Sequence, residues 1–198
     1  MIELERQNDV FVLTMNEGEN RWNTTFTRAL AEAFDELEAA EGPAALVTAS
    51  ANEKFFSNGL DLEWIMGNDP DHPGGDRSVF GDEFMELMAR VMTLGMPTIA
   101  AVAGHGFGAG FMFALSHDVR IMREDRGYLC ANEIEIGMAI PPAELALFRQ
   151  KIPAPAYNET VMLAPANGFY ATQGLGRDVG QGLGGLVAKV ELSVYLLG

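Results

Sequence analysis

The sequence predicts an α/β domain with a mainly parallel sheet, and three observations carry that reading. AALVTAS and PTIAAVAG are short runs apolar on both faces, the pattern of strands covered by helices on two sides. Segments of helical period, apolar on one face and charged on the other, lie between such runs. The resulting order of strand, helix, strand, helix, strand, helix, strand is that of parallel strands joined by crossover helices.

The opening IELERQNDVFVLTMNEG alternates apolar and polar residues on both sides of Gln7, Asn8 and Asp9, which predicts a hairpin with one buried face. From Thr24 to Ala40 the residues Phe26, Leu30, Ala33, Phe34 and Leu37 share one helical face, and Gly42-Pro43 stops the helix. AALVTAS is the next strand, followed by the turn KFFSNGLDL. DPDHPGGD reads as a flexible, solvated loop. Asp69, Asp71, His72 and Asp76 are conceivable metal ligands there, but no regular spacing holds them together, and no metal is expected. FGDEFMELMARVMTLG predicts a second amphipathic helix, PTIAAVAG a strand, and GHGFGAGFMFALSHD a glycine turn opening a helix that ends by His117. VRIM and YLCANEIEIG read as further strands, the latter with Glu133 and Glu135 on one face. Residues 1–163 form the expected core. From Ala164 onward glycine accumulates and charge thins, so 164–198 reads as an atypical tail.

Among 198 residues the formal net charge is −15, with no basic block, which argues against nucleic acid or an anionic membrane as a partner. No apolar run is long enough to span a bilayer, and the N-terminus lacks the pattern of a signal peptide. Cys130 is the lone cysteine, consistent with a reducing compartment, and the expected localisation is cytoplasmic.

Ligands of parallel sheets gather at the turns leaving the carboxyl ends of strands, which singles out KFFSNGLDL and the glycine stretch. Gly104, Gly106 and Ala109, with Glu124 further on, satisfy a loose dinucleotide fingerprint, but the helix after them is too short for an ordinary crossover and Gly110 is superfluous. Glycines that merely let a helix pack closely are a second reading. A third takes both turns together: two backbone N–H groups aimed at one point make an oxyanion hole, with no side-chain chemistry required at that point.

These two turns resemble those of the crotonase, or enoyl-CoA hydratase/isomerase, superfamily. FFSNGLDL, from Phe55 to Leu62, is similar to the F-S-x-G-x-D-L segment that supplies the first oxyanion N–H, and PTIAAVAGHGFGAGFMFALSHD is similar to the second. The resemblance covers Ile2 to about Leu163 and implies a crotonase-like superhelix of repeated ββα units. It makes Leu60 and Ala109 the N–H donors. Hydratases of the family use two glutamates. The first position falls here at Met112, which transfers no proton, and the second at Glu133 in ANEIEIGMAIPP. One acid beside an oxyanion hole resembles the Δ3,Δ2-enoyl-CoA isomerase subgroup, with Glu133 as proton shuttle and a place in fatty acid metabolism.

The chemistry points the same way: moving a double bond from C3 to C2 of a thioester removes a proton from C2 and returns one to C4, and one carboxylate can do both. The resemblance further implies an acyl-CoA substrate, no cofactor beyond the coenzyme A of the substrate itself, and a homotrimer or hexamer. Trp64, Met112 and Met138 are expected to face the acyl chain, and Arg21, Arg28 and Lys54 to approach the phosphates of coenzyme A. His105 and His117 are expected to be structural, and Asp61 a cap. Two alternatives stay open: another crotonase activity such as acyl-CoA hydrolysis, and a non-catalytic CoA-binding or assembly subunit, which the departure of the tail from the family supports.

Overall fold

The computed structural model describes residues 1–123 and 126–162. β1 (Ile2–Gln7) and β2 (Val10–Met15) form the expected antiparallel hairpin. α1 (Thr24–Glu38) starts where the Asn23 side chain accepts the Phe26 N–H at 2.8 Å, a standard N-cap, and buries Phe26, Leu30, Phe34 and Leu37. β3 (Ala45–Ser50) follows, then β4 (Phe55–Ser57) and α2 (Leu62–Met66), capped by Asp61. α3 (Phe80–Thr93) buries Phe84, Leu87, Met88 and Val91. β5 (Thr98–Val102), β6 (His105–Phe107) and α4 (Ala109–Ser116) make the next unit. β7 (Val119–Met122), β8 (Leu129–Cys130), a 3₁₀ turn (Glu133–Ile136), α5 (Pro142–Lys151) and α6 (Ala154–Met162) complete the described residues.

The main sheet runs β1-β2-β3-β5-β7 and is parallel except at β1/β2; a second, parallel sheet runs β4-β6-β8. The repeating unit is thus strand, strand, helix, whereas the sequence pattern suggested strand, helix. β4 and β6 fall inside the stretches read as turns. Each is only three residues long, and β6 is His-Gly-Phe, too short and too glycine-broken to show alternation.

Two further expectations are corrected. YLCANEIEIG is not one strand: pairing with β6 ends at Phe107–Cys130, and the chain then coils into the 3₁₀ turn, closed by Gly137 at φ 70°. Glu133 and Glu135 therefore share no strand face; Glu133 is buried and Glu135 exposed. DPDHPGGD is not a free loop either. The Thr25 N–H donates to Gly74 O at 3.0 Å, and the Thr24 and Thr25 hydroxyls donate to Asp76 O (2.6 Å) and Pro73 O (2.7 Å), tying it to the start of α1. Its Asp69, His72 and Asp76 side chains accept bonds from within the loop, and among the described residues no group of acidic, His or Cys side chains is placed to hold a metal.

Trp22 joins the layers, edge-on to Phe26 (5.2 Å), Phe84 (4.9 Å) and Phe113 (5.2 Å), and so locks α1, α3 and α4 together. His117 is wholly buried and structural. Its Nδ1–H donates to Phe113 O at 2.8 Å, leaving Nε2 to accept from the Thr48 hydroxyl at 2.9 Å, and burial pushes its pKa down to about 4. Asp118 accepts from the Thr98 N–H and hydroxyl, pinning the start of β5 to β7. Glu124 and the tail at 164–198 lie outside the described residues.

Candidate active site

The two turns meet backbone to backbone. Gly59 leaves β4 at φ 76°, and a Cβ there would lie 2.9 Å from the carbonyl oxygen of Phe107, at the end of β6. Gly108, the next residue, turns the chain into α4 at φ 47°, and a Cβ there would lie 3.0 Å from Glu133 Oε1. Both positions have positive φ; at Gly59 the neighbour is main chain and leaves no room for a side chain, whereas at Gly108 it is the end of the Glu133 side chain, which would have to shift.

Each turn carries a main-chain N–H that the surrounding helix or bridge leaves unpaired to its own element. Leu60 is bridged in parallel to Trp22, whose N–H donates to Gly59 O and whose C=O accepts from the Asp61 N–H, both at 2.8–2.9 Å. In such a bridge the N–H of the middle residue, Leu60, points away from Trp22. Ala109 opens α4, so its N–H has no carbonyl one turn back in the helix, and the positive end of the helix dipole lies there. Leu60 and Ala109 line the same cavity.

The first turn is braced from beneath. Ser57 Oγ accepts from the Trp22 indole N–H (3.0 Å) and the Gly59 N–H (3.3 Å) and donates to Asn20 O (2.7 Å), while Asn20 Nδ2 donates to Phe56 O at 3.1 Å. Ser57→Ala is expected to leave two buried donors without an acceptor and to lower unfolding stability by about 1–3 kcal/mol, measurable by urea denaturation.

The cavity has a volume of about 260 Å³. Phe84, Met85, Met112, Ile136 and Met138 give it apolar walls, and two carboxylates, Glu133 and Glu144, also line it. Glu133 is 8% exposed, projects from the 3₁₀ turn against Gly108, and has an Oε2 without a hydrogen-bond partner among the described residues. Burial pushes its pKa above the ordinary carboxylate range, while its own backbone N–H works against the rise. Glu144, in the first turn of α5, is 5% exposed and its Oε2 also lacks a partner; burial first, and the charge of Glu133 second, push its pKa up to about 7.

Sequence reasoning did not single out Glu144. The proline pair Pro141-Pro142 marks a helix start, and a carboxylate in a first turn ordinarily reads as a solvated partner of the helix dipole. Only the packing of α5 against α4 turns it inward. Met112, Met138 and Met85 line the cavity. Trp64 does not: it is fully buried under the 73–75 loop, with its indole donating to Gly75 O at 2.8 Å, because that loop folds down onto it.

The expected phosphate cations are dispersed. Arg28 pairs with Glu83 at 2.6 Å in a separate groove between α1 and α3, Arg21 pairs with Glu19 at 2.7 Å, and the Lys54 ammonium lies 4.8 Å over the Phe55 ring. His105 stacks between Phe107 and Tyr128 at ring distances of 5.3 and 5.1 Å.

Comparison with known proteins shows the family. A family profile described as enoyl-CoA hydratase/isomerase matches residues 5–171. The chain belongs to the enoyl-CoA hydratase/isomerase family. Within that family it is 34% identical to peroxisomal enoyl-CoA delta isomerase 2 of Arabidopsis thaliana over 83% of this chain and 69% of that protein. It is 37% identical to peroxisomal enoyl-CoA delta isomerase 1 of the same plant, over 84% of this chain and 68% of that one. The chain thus spans about two thirds of the length of these relatives. A probable enoyl-CoA hydratase from Mycobacterium tuberculosis shares the crotonase fold at a TM-score of 0.74 and 25% identity, covering 83% of this chain and 67% of that one. Among the described residues no helix of this family member is long and apolar enough to cross a membrane.

Proposed function

We propose that this chain is an enoyl-CoA isomerase that moves a double bond from C3 to C2 of an acyl-CoA thioester. The observation that carries the reading is the meeting of the Leu60 and Ala109 turns beside a buried, unpartnered Glu133 carboxylate. The thioester oxygen accepts from the two N–H groups, so that charge built up on it in the enolate meets donors already in place, each worth about 3–4 kcal/mol of transition-state stabilisation. Glu133, against Gly108 at the start of α4, takes the C2 proton. A carboxylate with a raised pKa suits the task, because the acidity of C2 rises only once the oxyanion is held and the base must be strong enough to compete.

The acyl chain lies along Met112 and Met138. Of the three expected cations, Arg21 is engaged with Glu19 and Arg28 with Glu83 in another groove, so Lys54, over the Phe55 ring, serves the phosphates of coenzyme A. The similarity to the two plant delta isomerases supports isomerisation over the other chemistries of the family. The donors belong to the main chain, so Leu60→Ala is expected to retain most of the wild-type kcat, measured by the same assay.

That assay supplies purified protein with a 3-enoyl-CoA and follows 2-enoyl-CoA, beside a hydration assay on 2-enoyl-CoA. Isomerisation exceeding hydration is the expected result. Hydration exceeding isomerisation, or release of free thiol, would replace the reading by another family chemistry, and thioester binding without turnover would favour a CoA-binding subunit.

A further inference from the structure

Glu144 has no role in a one-carboxylate mechanism. It comes from α5, a different element from the 3₁₀ turn that carries Glu133, yet both line the same cavity. Each is more than nine-tenths buried, and each keeps an Oε2 with no hydrogen-bond partner among the described residues. Burial of an unpaired carboxylate is costly, and a fold that places two in one apolar cavity without a cation favours holding one of them as the neutral acid. Among the described residues no arginine or lysine lines this cavity to neutralise them. The cavity therefore offers two carboxyl groups from different elements rather than one.

We propose that Glu144 is a second catalytic acid–base residue, protonating C4 of the acyl chain while Glu133 removes the proton from C2. The assignment rests on the isomerase reading above. Glu133 lies against Gly108, the residue before the Ala109 donor, and so stands at the carbon next to the thioester carbonyl. Glu144 is the remaining carboxylate for the far end of the three-carbon system. Its position in the first turn of α5 is held by the Leu145 N–H donating to Pro141 O at 3.0 Å, and Met138 N–H donating to Glu133 O at 2.9 Å fixes the connecting segment.

The step balances within the site. The C2–H bond breaks with its proton passing to the Glu133 carboxylate, and the electron pair places charge on the thioester oxygen at the two N–H groups. That charge returns to restore the C=O, the C2=C3 double bond forms, and the former C3=C4 pair takes the proton of the Glu144 carboxyl to make the new C4–H bond. Glu133 ends protonated and Glu144 ionised; Glu133 gives its proton to solvent water and Glu144 takes one from solvent water before the next turnover. A raised carboxyl pKa of about 7 at Glu144 is consistent with its holding that proton.

The test follows a 3-enoyl-CoA dideuterated at C2 in ordinary water, with wild type and Glu144→Gln. Wild type is expected to form 2-enoyl-CoA whose new C4 hydrogen comes from solvent, with no deuterium carried from C2 to C4. Glu144→Gln, which removes a charge and keeps the shape, is expected to lose about 10²-fold or more in kcat. It should still wash deuterium out of C2, which also reports that the variant is folded and that Glu133 works. Deuterium carried to C4 by wild type, or a Glu144→Gln variant with wild-type kcat, would overturn the proposal while leaving the isomerase reading intact. Absence of isomerisation by wild type would overturn both.

Discussion

Glu133→Gln is expected to lower kcat for conversion of 3-enoyl-CoA to 2-enoyl-CoA by about 10²–10⁴, the range a positioned proton-transfer group supplies. Binding of a saturated acyl-CoA should change little, because glutamine keeps the shape of the side chain and the two N–H donors are untouched. The substitution also removes a buried carboxylate that finds no partner for Oε2 among the described residues, so the variant should be at least as stable as wild type. A loss of activity accompanied by loss of stability would instead mark Glu133 as structural.

The pH profile carries the same information with a sign. The base must be ionised, and burial raises its pKa, so kcat/KM is expected to fall as pH drops through a value above that of an ordinary glutamate. The groups facing it are Glu144, whose own pKa the charge of Glu133 helps to raise, and Cys130, whose pKa is pushed up to about 11 and which stays neutral throughout. Glu135 is exposed and contributes through solvent. In Glu133→Gln this acid limb should vanish from whatever activity remains.

Gly59→Ala is expected to give the second large effect, by a different route. The new Cβ would stand 2.9 Å from the Phe107 carbonyl oxygen, at a residue with φ 76°, so the turn must move rather than a flexible side chain. Moving it swings the Leu60 N–H off its aim, and loss of one oxyanion donor lowers kcat by about 10²–10³. The strained backbone should also lower stability by about 1–3 kcal/mol. Leu60→Ala, one residue on, is the contrast, since it deletes a side chain and keeps the donor. Steady-state kinetics and urea denaturation on both variants separate the contribution of the main chain from that of the side chain.

Much of the fold was legible because periodicity reports burial. The hairpin, α1 and α3 each show a run long enough for an alternating or helical pattern to emerge, and β3 and β5 show as continuous apolar runs. β4, β6 and β8 do not, because strands of two or three residues contain at most one full alternation. The 3₁₀ turn reads as strand for a related reason: Glu-Ile-Glu-Ile alternates perfectly, and only the end of β6 at Phe107 and the left-handed Gly137 turn the chain aside.

At the site, the backbone elements were legible as motifs and the side chains only in part. Leu60, Ala109 and Glu133 are named by the resemblance of their segments to those of the crotonase family, and all three line one cavity. Trp64 was expected in the acyl pocket because it is large and follows the turn, but its cover is the 73–75 loop, a tertiary contact that no local pattern announces. Glu144 was passed over because a helix-start glutamate is ordinarily solvated; its burial depends on how α5 packs on α4. Both cases have one cause: the environment of a side chain is set by chain segments distant in sequence.

The proposed arrangement is a thioester oxygen held by two main-chain N–H groups beside Glu133, and infrared difference spectroscopy of a bound saturated acyl-CoA measures it most directly. The thioester carbonyl stretch is expected to fall below its frequency in water on binding to wild type and Leu60→Ala, and to fall less in Gly59→Ala. A carbonyl bound at its free frequency in wild type would mean that the two donors do not converge on it, and would contradict the site described here.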